Sequence, residues 1–88
     1  MTPPPETPVF NCIVNVAPAE DGVVIARVAN LAGIEGRGRT EREALAQVVA
    51  TFKAVVAKYH AAGEAIPWVE HPANPQPGET QRFVAVHL

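Results

Sequence analysis

Apolar and polar residues alternate along the first part of the chain, as they do in strands with one buried face. Residues 9–16 follow this pattern, with two asparagines on the polar face. The Asp21-Gly22 pair supplies hairpin-turn chemistry before a second, β-branched segment at residues 23–28. Residues 34–38 are predicted to form a short third strand that glycine weakens.

The period changes to that of a helix after residue 40. Thr40 and Glu43 form a Thr-x-x-Glu capping box directly before an apolar run, and Gly63 is a helix stop signal. The spacing therefore predicts a helix over residues 41–62. Eight side chains recur on one broad face of it: Ala44, Leu45, Val48, Val49, Phe52, Val55, Val56 and Tyr59.

Two proline-rich segments flank these elements. Residues 1–8 are predicted to be an extended, mobile tail, and residues 64–80 to be mostly irregular. Residues 81–88 are predicted to be a last strand, and apolar side chains on both of its faces favour a place inside a sheet.

The predicted order is β-β-β-α-β within one domain, residues 9–88. This is an α+β fold: a four-stranded mixed sheet with one long helix packed on one face. If the crossover through the helix is right-handed, the last strand runs parallel to the first.

A single helix covers only one face of such a sheet. The other face is predicted to carry several apolar side chains, including Val9, Ile13, Val23 and Ile25. Because an apolar surface of that extent favours association, we expect the chain to form a homodimer or a homotetramer.

Composition narrows the classes of function. Seven basic against nine acidic residues give a net charge of −2, which argues against a general polyanion-coating protein. One cysteine excludes an internal disulfide and any multi-cysteine zinc site. No apolar run is long enough to cross a bilayer, and the N-terminal residues lack a signal-peptide pattern. We therefore expect a cytoplasmic protein without a membrane association.

Residues 21–40 and the start of the helix resemble HicB-type antitoxins. Gly38 and Thr40 match the Gly-x-Thr step of that family, and Glu43, Ala44 and Leu45 match its helix start. The sequence departs from the family pattern at five positions: Val24, Ala29, Asn30, Ala32 and Ile34. The resemblance implies a partial ribonuclease H-like fold and neutralisation of a small HicA-type ribonuclease. Since the chain ends at Leu88, we expect a stand-alone form without the DNA-binding domain that many members add.

The sequence predicts no catalytic residues, metal site or cofactor. Two-metal hydrolysis needs several converging carboxylates, whereas the single aspartate, Asp21, lies in a predicted turn. His60, His71 and His87 lack the close spacing of a zinc motif. Cys12 falls among the core positions of its strand, which favours a buried, inert thiol.

Three surface features remain open to two interpretations each. Arg37, Arg39 and Arg42 form a basic cluster that either contacts phosphate or is a solvated turn offset by neighbouring glutamates. Trp68 either packs over the helix end or is an exposed anchor. An alanine stripe along the outer helix face is either a packing surface or a result of helix propensity; it comprises Ala46, Ala50, Ala54, Ala57 and Ala61.

The preferred hypothesis is a homo-oligomeric antitoxin that masks the basic RNA-binding surface of a small ribonuclease. Acidic contacts are expected at Glu35, Glu41 and Glu43. The alternatives are a non-catalytic RNA-binding protein and an orphan regulatory dimer. Partner-binding residues are predicted at Asn30, Leu31, Gly33, Glu35, Arg37, Arg39, Ala50 and Ala54.

Overall fold

The computed structural model describes residues 8–72 and 74–88. Most of the predicted N-terminal tail, residues 1–7, therefore lies outside the described residues. The elements are β1 (Val9–Pro18), β2 (Val24–Val28), β3 (Glu35–Gly38), α1 (Glu41–Ala62) and β4 (Thr80–His87). The strands form one sheet in the order β3-β2-β1-β4, and α1 packs on one of its faces. The predicted α+β layout, β-β-β-α-β, is confirmed.

The sheet is antiparallel throughout, so the prediction of a mixed sheet was wrong. β4 runs antiparallel to β1, with Val9 opposite His87 and Val16 opposite Thr80. β4 also lies at an edge of the sheet and not inside it. The crossover rule assumes that the helix alone returns the chain to the starting end of the sheet. Here α1 and β4 both begin at the end of the sheet where β1 ends, and Arg82 of β4 bonds to Glu41 of α1 there. The segment between α1 and β4 therefore runs back to that end, and β4 then runs antiparallel to β1.

The β1–β2 connection is a tight turn that requires left-handed backbone. Asp21 and Gly22 both have positive φ angles, 64° and 73°. The turn closes with a hydrogen bond of 2.7 Å from the Ala19 N–H to the Val23 carbonyl. The Asp-Gly pair is therefore used as the sequence predicted, since aspartate and glycine tolerate this conformation.

α1 begins and ends at the predicted residues. The Thr40 hydroxyl accepts a 3.1 Å hydrogen bond from the Glu43 N–H, and Gly63 ends the helix at φ 68°. The Glu43 carboxylate accepts from the N–H of Arg39 and not from that of Thr40. The capping box thus reaches one residue further than usual and ties the end of β3 to α1.

The core lies between α1 and the sheet and consists of small and medium side chains around Phe52. α1 lies mainly over β3 and β2 and contacts β1 and β4 less. β3 holds α1 closely because Gly36 has no side chain: a Cβ there would lie 2.7 Å from Cγ2 of Val48. Buried members of the core are Cys12, Val14, Val16, Ala26, Val28, Leu31, Ile34, Ala44, Val48, Phe52, Val56 and Val86.

Candidate interaction surface

The side of the sheet that α1 does not cover is called the open face here. Its apolar residues are partly exposed: Phe83 is 65% exposed and Val9 53%, while Ile13 is half-buried, and Asn11 and Ala85 separate Val9 from the other two. Ile13 and Phe83 are direct cross-strand partners. These three residues, Val9, Ile13 and Phe83, form what we call the apolar patch.

A row of polar side chains divides the open face. Arg27 lies opposite Glu35 on β3 and opposite Asn15 on β1, which in turn lies opposite Gln81 on β4. The Gln81 amide donates to the Asn15 side-chain oxygen at 3.2 Å, and the Arg27 guanidinium lies 3.8 Å from the Glu35 carboxylate. The predicted alternation is confirmed, but the open face is not uniformly apolar.

Part of the segment between α1 and β4 approaches the open face beside this polar row, at Val69, Asn74, Gln76 and Glu79. The Val69 N–H donates to the Asn30 carbonyl at 3.0 Å. A shallow pocket of about 280 Å³ is lined by the sheet residues Asn15 and Arg27 together with Gln76 and Glu79. Asn15 is only 7% exposed as a result, whereas Val9 and Phe83 of the apolar patch stay accessible.

The predicted binding loop, residues 30–33, has mainly a structural role. The Asn30 side chain accepts from the Ile13 N–H at 3.1 Å and donates to the Asn11 carbonyl at 2.7 Å. β2 ends at Val28, and beyond that point the Asn30 side chain makes the hydrogen bonds to β1 that a further β2 residue would make. Leu31 is 3% exposed and belongs to the core, so its assignment as a partner contact is corrected. Gly33 is exposed at φ 86°.

The charged residues near β3 are exposed but engaged with one another. The Arg37 guanidinium lies 3.5 Å from the Glu35 carboxylate, and the Arg37 N–H donates to the Gln47 side chain at 2.7 Å. Glu43 accepts from the Arg39 N–H at 2.9 Å. This arrangement favours the interpretation of the basic cluster as a solvated turn offset by glutamates.

Glu41 is likewise engaged, through its 2.7 Å hydrogen bond from Arg82. That bond, together with the attraction between the two charges, raises the pKa of Arg82 above its ordinary value. Each of the three glutamates predicted as acidic contacts therefore already pairs or bonds with a group of this chain: Glu35, Glu41 and Glu43.

Ala50 and Ala54 are exposed on the outer face of α1, opposite its core-facing residues. The sheet separates this face from the open face. The structure consequently does not bring the predicted partner-binding residues together: Glu35 and Arg37 extend from the open face of β3, and the two alanines lie on the far side of the molecule.

Trp68 packs over the core, as one of its two interpretations predicted. Its ring centroid lies 5.9 Å from that of Phe10 and 6.0 Å from that of Phe52. The side chain is still 38% exposed. Contact with two aromatic rings gives Trp68 a structural role on the α1 side of the sheet.

Cys12 is fully buried, and burial raises the pKa of its thiol to about 11. A neutral thiol of this kind is a poor nucleophile at neutral pH. Within residues 8–72 and 74–88, no three His, Cys, Asp or Glu side chains are grouped closely enough to hold a metal ion. No helix in the described part of the chain combines the length and the apolar character needed to cross a membrane.

Comparisons with protein-family models, with curated proteins and with solved structures gave no match. The fold itself defines a small α+β protein in which one helix covers one face of an antiparallel sheet. The surface that sequence reasoning missed is the outer edge of β4. Apolar residues on both faces of that strand suggested an inner strand, although Phe83 is the most exposed large apolar side chain in the described residues.

Proposed function

We propose that this protein is a non-catalytic binding module: a HicB-like antitoxin that masks a small HicA-type ribonuclease with its open face. The observation that carries the proposal is the exposed apolar patch. Phe83 is exposed directly opposite the half-buried Ile13, and Val9 is exposed further along β1, all on a face that α1 leaves uncovered. Exposed apolar patches bordered by polar residues are characteristic of protein-binding surfaces.

Charge also supports a protein partner of basic character. The chain carries a net charge of −2, and the basic side chains Arg27, Arg37 and Arg82 each lie within 4.0 Å of a glutamate. A small ribonuclease has a basic RNA-binding surface, which an acidic protein attracts at long range. The apolar patch then supplies contact area, and the surrounding polar row supplies directional hydrogen bonds.

The resemblance to HicB-type antitoxins supports the same class of function. The residues that carry it, including Gly38, Thr40 and Glu43, form the junction between β3 and α1. We propose that the protein acts in the cytoplasm as a homo-oligomer.

The test is inhibition of a purified HicA-type ribonuclease, measured as the rate of RNA cleavage with increasing amounts of the chain. Val9→Thr combined with Ile13→Thr replaces apolar by polar side chains while keeping β-branched strand formers. We expect this double variant to lose at least about tenfold in inhibitory affinity, equivalent to about 1.4 kcal/mol.

The matched control addresses the opposite side of the molecule. Ala50→Glu combined with Ala54→Glu places two charges on the exposed outer face of α1. The open-face proposal expects inhibition to stay at the wild-type level in this variant. Loss of inhibition in the helix variant with full inhibition by the sheet variant would refute the proposal, as would an unmodified chain that leaves cleavage unchanged.

A further inference from the structure

The outer edge of β4 is long and has no strand beside it in the described part of the molecule. All eight residues of β4, Thr80–His87, pair with β1 on one side, and the strand order places β4 last. Natural edge strands usually carry a proline, a lysine or a bulge that prevents further pairing. β4 contains neither proline nor lysine, and its register with β1 is continuous.

The backbone groups at this edge belong to alternate residues. The Leu88 N–H donates to the Pro8 carbonyl at 3.1 Å, directly beyond the Val9–His87 pair. Hydrogen-bonded and non-hydrogen-bonded pairs alternate along an antiparallel ladder. Val86 and Val84 therefore bond to β1, whereas the N–H and C=O groups of Gln81, Phe83, Ala85 and His87 point away from it. The same four residues extend their side chains on the open face.

We propose that β4 pairs antiparallel with β4 of a second copy of this chain, about a two-fold axis at Phe83. This inference rests on the homo-oligomer of the proposed function and names its interface. In this register, Phe83 of one copy faces Phe83 of the other, and Gln81 faces the partner's Ala85. Each opposed pair exchanges two backbone hydrogen bonds, because the N–H and C=O groups of all these residues point away from β1.

A second copy fits the edge because the strand is complementary to itself. The two Phe83 rings, each 65% exposed, lie side by side on the open face, so the dimer brings the two apolar patches together and leaves their outer surface accessible. Arg82 of β4 carries a positive charge. It is bonded to Glu41 of its own chain and faces the partner's Val84, which is uncharged. The register therefore opposes no like charges. α1 lies over β3 and β2, so it does not obstruct the approach of a second sheet.

The assembly closes at two copies. A two-fold interface uses the same strand from both chains, so each copy is left with its β3 edge. β3 has only four residues and extends the charged side chains of Glu35 and Arg37, which disfavour further pairing. The expected product is a dimer with a continuous eight-stranded sheet and a helix on the same face at each end.

Sedimentation equilibrium of the full chain tests this interface with substitutions at one position. Ala85→Pro removes an outward N–H and leaves the bonds of Val84 and Val86 to β1 in place, as proline does at strand edges. Ala85→Ser keeps the N–H and is the matched control. We expect Ala85→Pro to raise the dimer dissociation constant at least about tenfold over Ala85→Ser, since its interface loses two hydrogen bonds.

A charge pair tests the position of the axis without a proline. Phe83→Glu and Phe83→Lys each place like charges opposite one another in a homodimer, so both variants are expected to be monomeric where the wild type is dimeric. Mixed in equal amounts they place opposite charges together, and we expect the dimer to return. A mixture that stays monomeric would overturn the inference.

Two further results would also overturn it: a monomeric wild-type chain at every concentration, or equal dissociation constants for Ala85→Pro and Ala85→Ser. These outcomes are distinct from failure of the proposed function. A dimer with these properties that does not inhibit the ribonuclease contradicts the antitoxin function alone. A monomer that inhibits it contradicts the β4 interface alone.

Discussion

The two edges of the sheet differ in what covers them. β3 has four residues, two of them glycines that lie against α1, and its open-face side chains are Glu35 and Arg37. β4 has eight residues, touches α1 little, and exposes Phe83. The β3 edge is thus short, charged and close to its own helix, whereas the β4 edge is long, exposes Phe83 and has no neighbouring strand among the described residues.

This difference shows how one helix determines where a small sheet can accept a partner. α1 can approach β3 closely because Gly36 and Gly38 present no side chains to it. Because α1 lies over β3, it covers β1 and β4, at the other end of the strand order, less than it covers β3 and β2. The β4 edge therefore lies away from α1, while the apolar patch is exposed because it lies on the face opposite to the helix.

The largest expected effect is at Gly36. A Cβ there would lie 2.7 Å from Cγ2 of Val48 and 2.9 Å from the Ala44 carbonyl oxygen, which is helix backbone and cannot turn aside. Gly36→Val should lower the free energy of unfolding by about 3 kcal/mol, measured by urea denaturation. Ala85→Val at the β4 edge is the control, with an expected change within about 0.5 kcal/mol. Similar values for the two variants would remove the distinction between the edges.

The next effect concerns Asn30, which bonds to β1 beyond the end of β2. Asn30→Ala leaves the Ile13 N–H and the Asn11 carbonyl without their partner, so we expect a loss of about 2 kcal/mol in unfolding free energy. Asn11→Ser, at an exposed position of the same strand, serves as the comparison. A stability of Asn30→Ala equal to that of Asn11→Ser would show that β1 does not need this bridge.

Cys12 reports on the core between the two edges through its raised pKa. In the unfolded chain the thiol ionises near its ordinary pKa of 9.0, whereas in the folded chain it stays protonated until about pH 11. The unfolded state therefore loses its proton first as the pH rises, and folding stability falls between about pH 9 and pH 11. At pH 10 the loss attributable to this thiol is about 1.4 kcal/mol.

The measurement is the free energy of unfolding across that pH range, with Cys12→Ala as the control. We expect the free energy of unfolding of Cys12→Ala to fall less than that of the wild type over this range, by about 1.4 kcal/mol at pH 10. The same thiol should react slowly with an alkylating reagent in Ala85→Pro and faster in Gly36→Val, because only the second variant displaces α1. Equal pH profiles for wild type and Cys12→Ala would contradict a shielded thiol.

The smallest of these effects is expected at the start of α1. Thr40→Ala removes the side-chain oxygen that accepts from the Glu43 N–H, at a cost of about 1 kcal/mol in unfolding free energy. Thr51→Ala, within the exposed part of the same helix, should be close to neutral. If both substitutions cost the same, the cap does not help to hold α1 over β3.

Local features of the fold were predictable, and those that depend on distant segments were not. The bounds of α1 follow from its apolar period, Thr40 and Gly63, all within or next to the helix. The direction of β4 depends on the return path of residues 63–79, which has no period to identify it. From the sequence, glycine in β3 indicates only a weaker strand, because the contact of Gly36 with Val48 is visible only once α1 is placed.

Surface assignments were correct where the period of a strand identified them and incorrect where the contacts depend on distant segments. Exposure of Glu35 and Arg37 follows from alternation along β3. Leu31 lies in a loop without a period, so nothing in the sequence identified it as a core residue. Asn30 bonds to β1 residues that precede it by 17 and 19 positions, a separation at which sequence spacing carries no information.

Amide hydrogen exchange along β4, followed by NMR as a function of protein concentration, tests the central claim most directly. The claim is that the β4 edge is free in one copy and paired in two. It predicts that the amides of Val84 and Val86 are protected at all concentrations, while those of Gln81, Phe83 and Ala85 become protected only as the concentration rises. Exchange at Gln81, Phe83 and Ala85 that stays fast at every concentration would contradict it.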